Sequence, residues 1–257
     1  MRIARFTVDD QLHYGLVQEG SEDLEVRVLK GDPFYQGIQP GTKTYPLEQV
    51  RLLAPIIPRS KVIGSARNWM DHAQELGNEP AASPQFFLKP NTSVVGPGDP
   101  VTLPDWAEEV SFEGELALVI GRIAKSVPAQ RAAEVIFGYT VANDLTARDK
   151  QRQDIQWARA KGFDGACPLG PWIETELDPD DLSIKSWLDG DLKQDGRTAD
   201  MIYSAAELVA AASEAFTLLP GDVILTGTPA GVGLLEEGSE VEVEVEGIGA
   251  LVNRIRR

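Results

Sequence analysis

The chain is poor in the residues that most often carry chemistry, with one cysteine and two histidines in 257 residues. A single thiol, Cys167, excludes an internal disulfide and fits a reducing compartment. Without a cysteine pair or a His-Glu-x-x-His run, a typical zinc site is excluded as well. No Gly-x-Ser-x-Gly elbow is present. Cys167 stands between Ala166 and Pro168 with no activating base beside it, so it reads as a packed thiol. Positive charge is also scarce: 24 Lys+Arg against 40 Asp+Glu give a net charge of −16. Such a surface repels nucleic acid and anionic membrane, and both are discounted as partners. No apolar run approaches transmembrane length, and the first ten residues carry charges but no apolar core of a signal peptide. A soluble, cytoplasmic protein is expected.

What remains is globular in composition, 42% hydrophobic and 25% charged. The length suits one large domain, or one domain with a small appendage. Residues 1–58 read as short strands and turns, with Leu24 to Val28 alternating and Pro55 and Pro58 bracketing a connection. A boundary there predicts a small N-terminal β domain (1–58) and a larger second domain (59–257). In the second, short helices are predicted over 68–76, with Asn68 as N-cap and Gly77 just past the end, and over about 126–137 and 146–160. Ser204 and Glu207 form a capping box ahead of a further helix. A hairpin is predicted at Asp189-Gly190, and strands around 86–89, 110–120, 138–142, 222–226 and 240–246. Strands outnumber helices without regular alternation, which predicts an α+β fold with a mixed or antiparallel sheet.

Two glutamates, Glu113 and Glu115, sit at the head of the otherwise apolar run Val110 to Ile120. Residues i and i+2 of a strand share a face, so the two carboxylates converge, with Ala117 and Val119 continuing that face. Phe112, Leu116, Leu118 and Ile120 take the other. A strand apolar on both faces is normally buried, and paired carboxylates near a core need a positive partner, most simply a divalent cation with oxygen ligands. The ordinary alternative is a solvated pair. The chain offers a contrast in Glu240 to Glu246, where every acid shares one face and every valine the other, a half-exposed strand without function. By themselves the residues leave both readings of Glu113 and Glu115 open.

Asp144, 29 residues past Glu115, is the natural third ligand, although Asp also serves as a helix N-cap. Arg148 and Gln151 follow it along one predicted helix face. His72 and Glu75, three apart, share a face of the 68–76 helix. A carboxylate beside a histidine fixes its tautomer and raises its basicity, as a general base requires. The other histidine, His13, lies in an ordinary strand, and by itself an exposed helix turn would explain His72 and Glu75 more simply. Lys161 is unremarkable by sequence. The Gly-rich turn Thr226 to Gly233 matches no phosphate-binding loop, yet it can bring backbone amides and a hydroxyl to a small anion.

Taken in order, these motifs resemble the fumarylacetoacetate hydrolase superfamily. The resemblance rests on Ala66-Arg-Asn-Trp-Met-Asp-His72-Ala-Gln-Glu75-Leu-Gly, Phe87-Leu-Lys-Pro90, Phe112-Glu-Gly-Glu-Leu116 and Asn143-Asp-Leu-Thr-Ala-Arg-Asp149. Lys161-Gly-Phe-Asp164, Pro168-Leu-Gly-Pro171 and the run Pro220 to Pro229 complete it. It covers about Lys61 to Ile248, and the N-terminal segment resembles that of bacterial members. The resemblance implies a β-rich roll of mixed sheets, a homodimer, and a Mg²⁺ or Mn²⁺ enzyme, with Ca²⁺ a crystallisation substitute. Its substrates would be 2-oxo or 1,3-dicarbonyl acids. It implies Glu113, Glu115 and Asp144 as metal ligands and His72 with Glu75 as a base dyad on a lid that orders with substrate. Lys161 would support an oxyanion, Arg148 and Gln151 would hold substrate oxygens, and Thr228 the substrate carboxylate. Trp69 stands where tyrosine is more usual. The implied activity is acylpyruvate-type C–C hydrolysis or oxaloacetate decarboxylation. The family alternative is the 2-hydroxyhepta-2,4-diene-1,7-dioate isomerase and 5-oxopent-3-ene-1,2,5-tricarboxylate decarboxylase of aromatic catabolism. A reading of another class, a non-catalytic metal-binding module, has no use for the dyad.

Overall fold

Alternating apolar strands organise the molecule, which is described here by a computed structural model over residues 1–257 apart from Glu22, Leu76, Asn78 and Pro80. Among the described residues, twelve strands join one sheet. Its main path runs Pro40–Pro46, Leu24–Leu29, Gln11–Glu19, Arg2–Val8, Cys167–Glu174, Ile136–Asn143, Gly114–Ile120, Val223–Leu225, Val62–Ala66 and Gln85–Lys89. Most neighbours are antiparallel, but Val223–Leu225 and Val62–Ala66 run parallel, so the sheet is mixed and the fold α+β. A second sheet runs Asp191–Arg197, Ser183–Leu188, Glu240–Val245, Gly249–Arg256 and Val101–Thr102.

Gly114–Ile120 lies inside the large sheet, and every residue of it is buried. Leu116, Leu118 and Ile120 enter the larger core with Phe112 and Val141, while Ala117 and Val119 enter a second core with Val223, Leu225 and Ile173. Removing each of the three large side chains from water contributes roughly 1.5–3 kcal/mol. The five-stranded sheet closes the larger core with Ile184, Val241, Val243, Val245 and Leu251. The Glu240–Val245 strand behaves as its alternation predicts, with the valines buried and Glu240 and Glu244 exposed. The capping box at Ser204 and Glu207 is formed, and it starts helix Ala205–Ala215.

Three predicted helices differ. The first is shorter, Met70–Glu75, and Asn68 does not cap it. The Asn68 side chain is buried and spent on Tyr203 and Thr226 backbone groups instead. Gly77 does take a positive φ of 68° just beyond the helix, whereas the predicted end at Leu76 lies outside the described residues. Over 126–137 the chain forms only a 3₁₀ segment, Ala129–Glu134, before entering strand Ile136–Asn143. The predicted helix over 146–160 is a two-residue strand, Thr146–Ala147, then two short helices, Arg148–Gln153 and Ala158–Gly162. Thr146 and Ala147 pair with Val110 and Ser111, and that tertiary pairing overrides helical propensity at the start of the segment.

Candidate active site

Strand register brings the acids together. Gly114 pairs with Asn143, which places Glu113 opposite Asp144 where the two strands end. The Asp144 N–H donates to the Glu113 carbonyl at 2.8 Å, and the Glu113 N–H donates to Asn143 Oδ1 at 3.0 Å. Only glycine fits between the glutamates, because a Cβ on Gly114 would meet Ser186 Oγ at 2.2 Å and Val243 at 2.9 Å. The close approach of the second sheet therefore dictates the Glu-Gly-Glu spelling.

One carboxylate oxygen from each of Glu113, Glu115 and Asp144 lies within 4.8 Å of the others, and all three residues are buried. At that separation two like charges repel by roughly 3 kcal/mol with an effective dielectric of about 20. Cations offset two of the three acids. Lys161 Nζ donates to Glu113 at 2.7 Å and to Asp144 at 2.6 Å. Arg148 pairs with Glu113, and Lys89 with Asp144. Burial alone would raise the Glu113 pKa, but Lys161 and Arg148 outweigh it and hold the carboxyl well below the usual range. Burial likewise works against the Lys161 ammonium, yet Asp144 and Glu113 keep its pKa raised.

Glu115 is different. Among the described residues it has no cation partner, and its contact is the Gly227 N–H, 2.6 Å from Oε2. Burial, then the charges of Asp144 and Glu113, push its pKa well up. A buried carboxylate with no ion-pair partner among the described residues, in an all-oxygen donor set, fits a hard divalent cation such as Mg²⁺ or Mn²⁺.

A cavity of about 370 Å³ opens over this cluster, lined by His72, Glu113, Glu115, Arg148, Lys161 and Thr228, with Gln151 at its wall. Of the remaining predicted residues, Asp144 stands behind Lys161, and Glu75 behind His72. His72 is buried, with Nδ1 3.0 Å from Glu75 Oε2. With the Nδ1 proton given to that carboxylate, the Nε2 lone pair is free. Glu75 Oε1 in turn accepts the Gly231 N–H at 3.0 Å. Gly231 has φ 102°, and a Cβ there would lie 1.9 Å from the Lys193 carbonyl, so this anchor also requires glycine. The Gly-rich turn thus does bring amides to anions, and those anions are Glu115 and Glu75.

Arg148 donates to Ser111 Oγ at 2.7 Å through Nε and to Gln151 Oε1 at 3.0 Å through Nη1, which fixes the pair over Glu113. Thr228 is more committed than the sequence suggests. Its hydroxyl donates to the Gly114 carbonyl at 2.8 Å and accepts from Gln194 Nε2 at 2.7 Å. Gln194, fully buried, also accepts the Gly114 N–H at 2.9 Å, and so ties the Glu-Gly-Glu strand to the Gly-rich turn. The sequence gives no sign of Gln194. Lys89 does leave a trace, since it closes the apolar run Phe86-Phe87-Leu88 directly before Pro90. Trp69 is buried against Gly196 and Gly227, where a Cβ would come within 3.0 and 3.3 Å of its ring.

Comparison with known proteins agrees with this architecture. Residues 61–256 match the family model of the fumarylacetoacetate (FAA) hydrolase C-terminal region, and residues 1–55 match an Rv2993c-like N-terminal model. The crystal structure of 5-carboxymethyl-2-hydroxymuconate delta-isomerase from Mycobacterium smegmatis is 46% identical with a TM-score of 0.92, covering 100% of both chains. Human mitochondrial oxaloacetate tautomerase FAHD2A is 40% identical over 222 residues, 82% of this chain and 71% of the relative. Maleylpyruvate hydrolase from Sphingobium sp. SYK-6, solved in complex with manganese(II) and pyruvate, is 32% identical with a TM-score of 0.81, covering 100% of this chain and 99% of that one.

Proposed function

The chain belongs to the fumarylacetoacetate hydrolase family, and from that premise we propose that it is a divalent-metal-dependent enzyme acting on 2-oxo and 1,3-dicarbonyl acids. Its core step is movement of a proton at the carbon beside the keto group. One observation carries the reading: His72, held by Glu75, lines the same cavity as Glu113 and Glu115, whose carboxylates cluster with that of Asp144. A module that only binds metal has no use for an oriented imidazole.

Glu113, Glu115 and Asp144 would hold Mg²⁺ or Mn²⁺. A cation bound there supplies Lewis acidity toward the substrate's carboxylate and adjacent keto oxygen. The relative solved with manganese(II) and pyruvate supports the choice of ion and of substrate class. The chain's own groups do the rest. Arg148 has five N–H donors, and Ser111, Gln151 and Glu113 take three of them, leaving two for substrate oxygens. Lys161 spends two of its three donors on Glu113 and Asp144, and the third can steady a developing oxyanion. His72 Nε2 takes the proton, and Glu75 stabilises the imidazolium that forms, an arrangement worth about 10²–10⁴ in rate.

Tautomerisation or isomerisation needs only this relay, and the names of the M. smegmatis and human relatives favour it. A second reading, C–C hydrolysis with His72 activating water against the distal carbonyl, is favoured by the hydrolase relative. Decarboxylation of oxaloacetate needs the same electron withdrawal and no base. The assembly we propose is a homodimer, which light scattering in solution would test.

The deciding experiment is a panel of oxaloacetate, acetylpyruvate, fumarylpyruvate, fumarylacetoacetate and 2-hydroxyhepta-2,4-diene-1,7-dioate, with Mg²⁺ or Mn²⁺, followed by proton NMR. Accelerated keto–enol exchange or isomerisation supports the first reading, and new acid fragments support the second. No acceleration on any of the five removes the proposal.

A further inference from the structure

We propose that Gln194 is a positioning residue for both halves of this site: one buried amide that holds Glu115 of the acid cluster and Glu75, the support of His72, in fixed relation to each other. The proposal rests on the reading of the cavity as a metal-and-base site.

Gln194 lies on strand Asp191–Arg197 of the five-stranded sheet, outside the sheet that carries the acids. It is fully buried, between exposed Lys193 and Asp195. An apolar side chain would fill that position at less desolvation cost, so an amide there depends on its hydrogen bonds. All four of its places are used. Oε1 accepts the Gly114 N–H at 2.9 Å and the Ser186 hydroxyl at 2.7 Å. Nε2 donates to Thr228 Oγ1 and to the Pro229 carbonyl, each at 2.7 Å.

The Gly114 N–H can only donate and the Pro229 carbonyl can only accept, so the amide has one orientation. That orientation decides the next hydroxyl. Thr228 Oγ1 accepts from Nε2, and its own proton goes to the Gly114 carbonyl, 2.8 Å away. A closed ring therefore runs through Gln194, Thr228 and both polar groups of Gly114. It leaves no Thr228 hydroxyl proton for a substrate carboxylate.

Each side of the ring controls one half of the site. Gly114 stands between Glu113 and Glu115, so the ring fixes where those carboxylates leave the chain. Thr228 and Pro229 belong to the turn whose Gly227 N–H holds Glu115 and whose Gly231 N–H holds Glu75. That turn also lies against the strand of Gln194. A Cβ on Gly196 would come 2.7 Å from Pro229, and one on Gly231 1.9 Å from the Lys193 carbonyl. The strand is thus the floor of the turn, and Gln194 joins that floor to the acids. A buried network with every member satisfied admits one arrangement.

The test is amide hydrogen exchange, followed by NMR on metal-free protein, with Mn²⁺ titration of the same samples. Gln194→Met keeps the size of the side chain and removes every hydrogen bond of the amide. The Gly227 and Gly231 amides should then exchange about tenfold faster or more, measured relative to the amides of strand Glu240–Val245, which report opening of the sheet as a whole. Mn²⁺ should bind about 10- to 100-fold more weakly. Ser186→Ala removes a partner of the same amide on the side away from the turn, and should leave the exchange ratio unchanged. Thr228→Val should reproduce the faster exchange and Thr228→Ser, which keeps the hydroxyl, should restore it. That pair decides the matter if Gln194→Met does not fold. An unchanged ratio in Gln194→Met or Thr228→Val, an equal shift in Ser186→Ala, or undiminished Mn²⁺ affinity in Gln194→Met overturns the assignment. Exchange needs neither metal nor turnover. Absence of Mn²⁺ binding in wild type would remove the metal reading, while exchange still decides the role of Gln194.

Discussion

Glu75 holds His72 from one oxygen and is itself held from the other: Oε2 lies 3.0 Å from His72 Nδ1, and Oε1 takes the Gly231 N–H at 3.0 Å. The short helix carrying the imidazole is thereby tied to the Gly-rich turn, whose Gly227 amide also holds Glu115. Removing the proposed base, His72, should cost far more than removing its support, Glu75. His72→Ala should lower keto–enol turnover by about 10²–10⁴, and Glu75→Gln by about 10–10². Neither should change Mg²⁺ affinity measured by titration. Loss of metal binding in His72→Ala would show that the imidazole belongs to the metal site instead.

Glu115 predicts a gain of stability on losing a charge. Its folded pKa is raised above the ordinary carboxylate value, so its contribution favours folding at low pH and fades as pH rises through the folded pKa. Glu113 is lowered, and its contribution is lost only as pH falls below the ordinary value. In metal-free protein, Glu115→Gln should thus melt higher than wild type at neutral pH, with the difference growing as pH rises above the ordinary carboxylate range. A variant that melts lower at pH 8 would mean that an ionised Glu115 is already compensated without metal.

Lys161 predicts the reverse. It bridges Glu113 and Asp144 in a fully enclosed position, and removing one partner of a buried ion pair costs about 3–5 kcal/mol. Lys161→Met should be destabilised by that order in denaturant melts without metal. Saturating Mg²⁺ should recover more stability in the variant than in wild type, because the added cation replaces lost positive charge. An unchanged midpoint would contradict the ion-pair assignment.

Cys167 should be inert. It is fully buried, and burial pushes its thiol up to about 12, leaving almost no thiolate at pH 8. Iodoacetamide at pH 8 should leave the folded protein unmodified by mass spectrometry and label it once after denaturation. Rapid labelling of the native protein would show that the site opens.

Much of this architecture is legible in the chain. The run Val110 to Ile120 announces a buried strand by being apolar on both faces, and the valine–glutamate alternation of 240–245 announces a half-exposed one. Helix boundaries are less legible where tertiary contacts decide them. Thr146 and Ala147 are drawn into a strand by Val110 and Ser111, and Asn68 is taken from its capping role by Tyr203 and Thr226. Within the site, residue types in motif order point to the acids and the dyad. Partners supplied by distant elements do not show, since nothing near Gln194 in sequence signals Gly114 or Thr228. Lys161 looks solvated until folding encloses it between two acids, and the same enclosure commits Lys89 to Asp144.

The central claim is that Glu113, Glu115 and Asp144 form one divalent-cation site, and its most direct test is titration of Mn²⁺ into chelator-treated protein. We expect one ion per chain for wild type, at least a hundredfold weaker binding for Glu115→Gln, and an enzyme that regains keto–enol turnover only as that single site fills. Undiminished Mn²⁺ binding in Glu115→Gln, or turnover that persists after complete chelation, would contradict it.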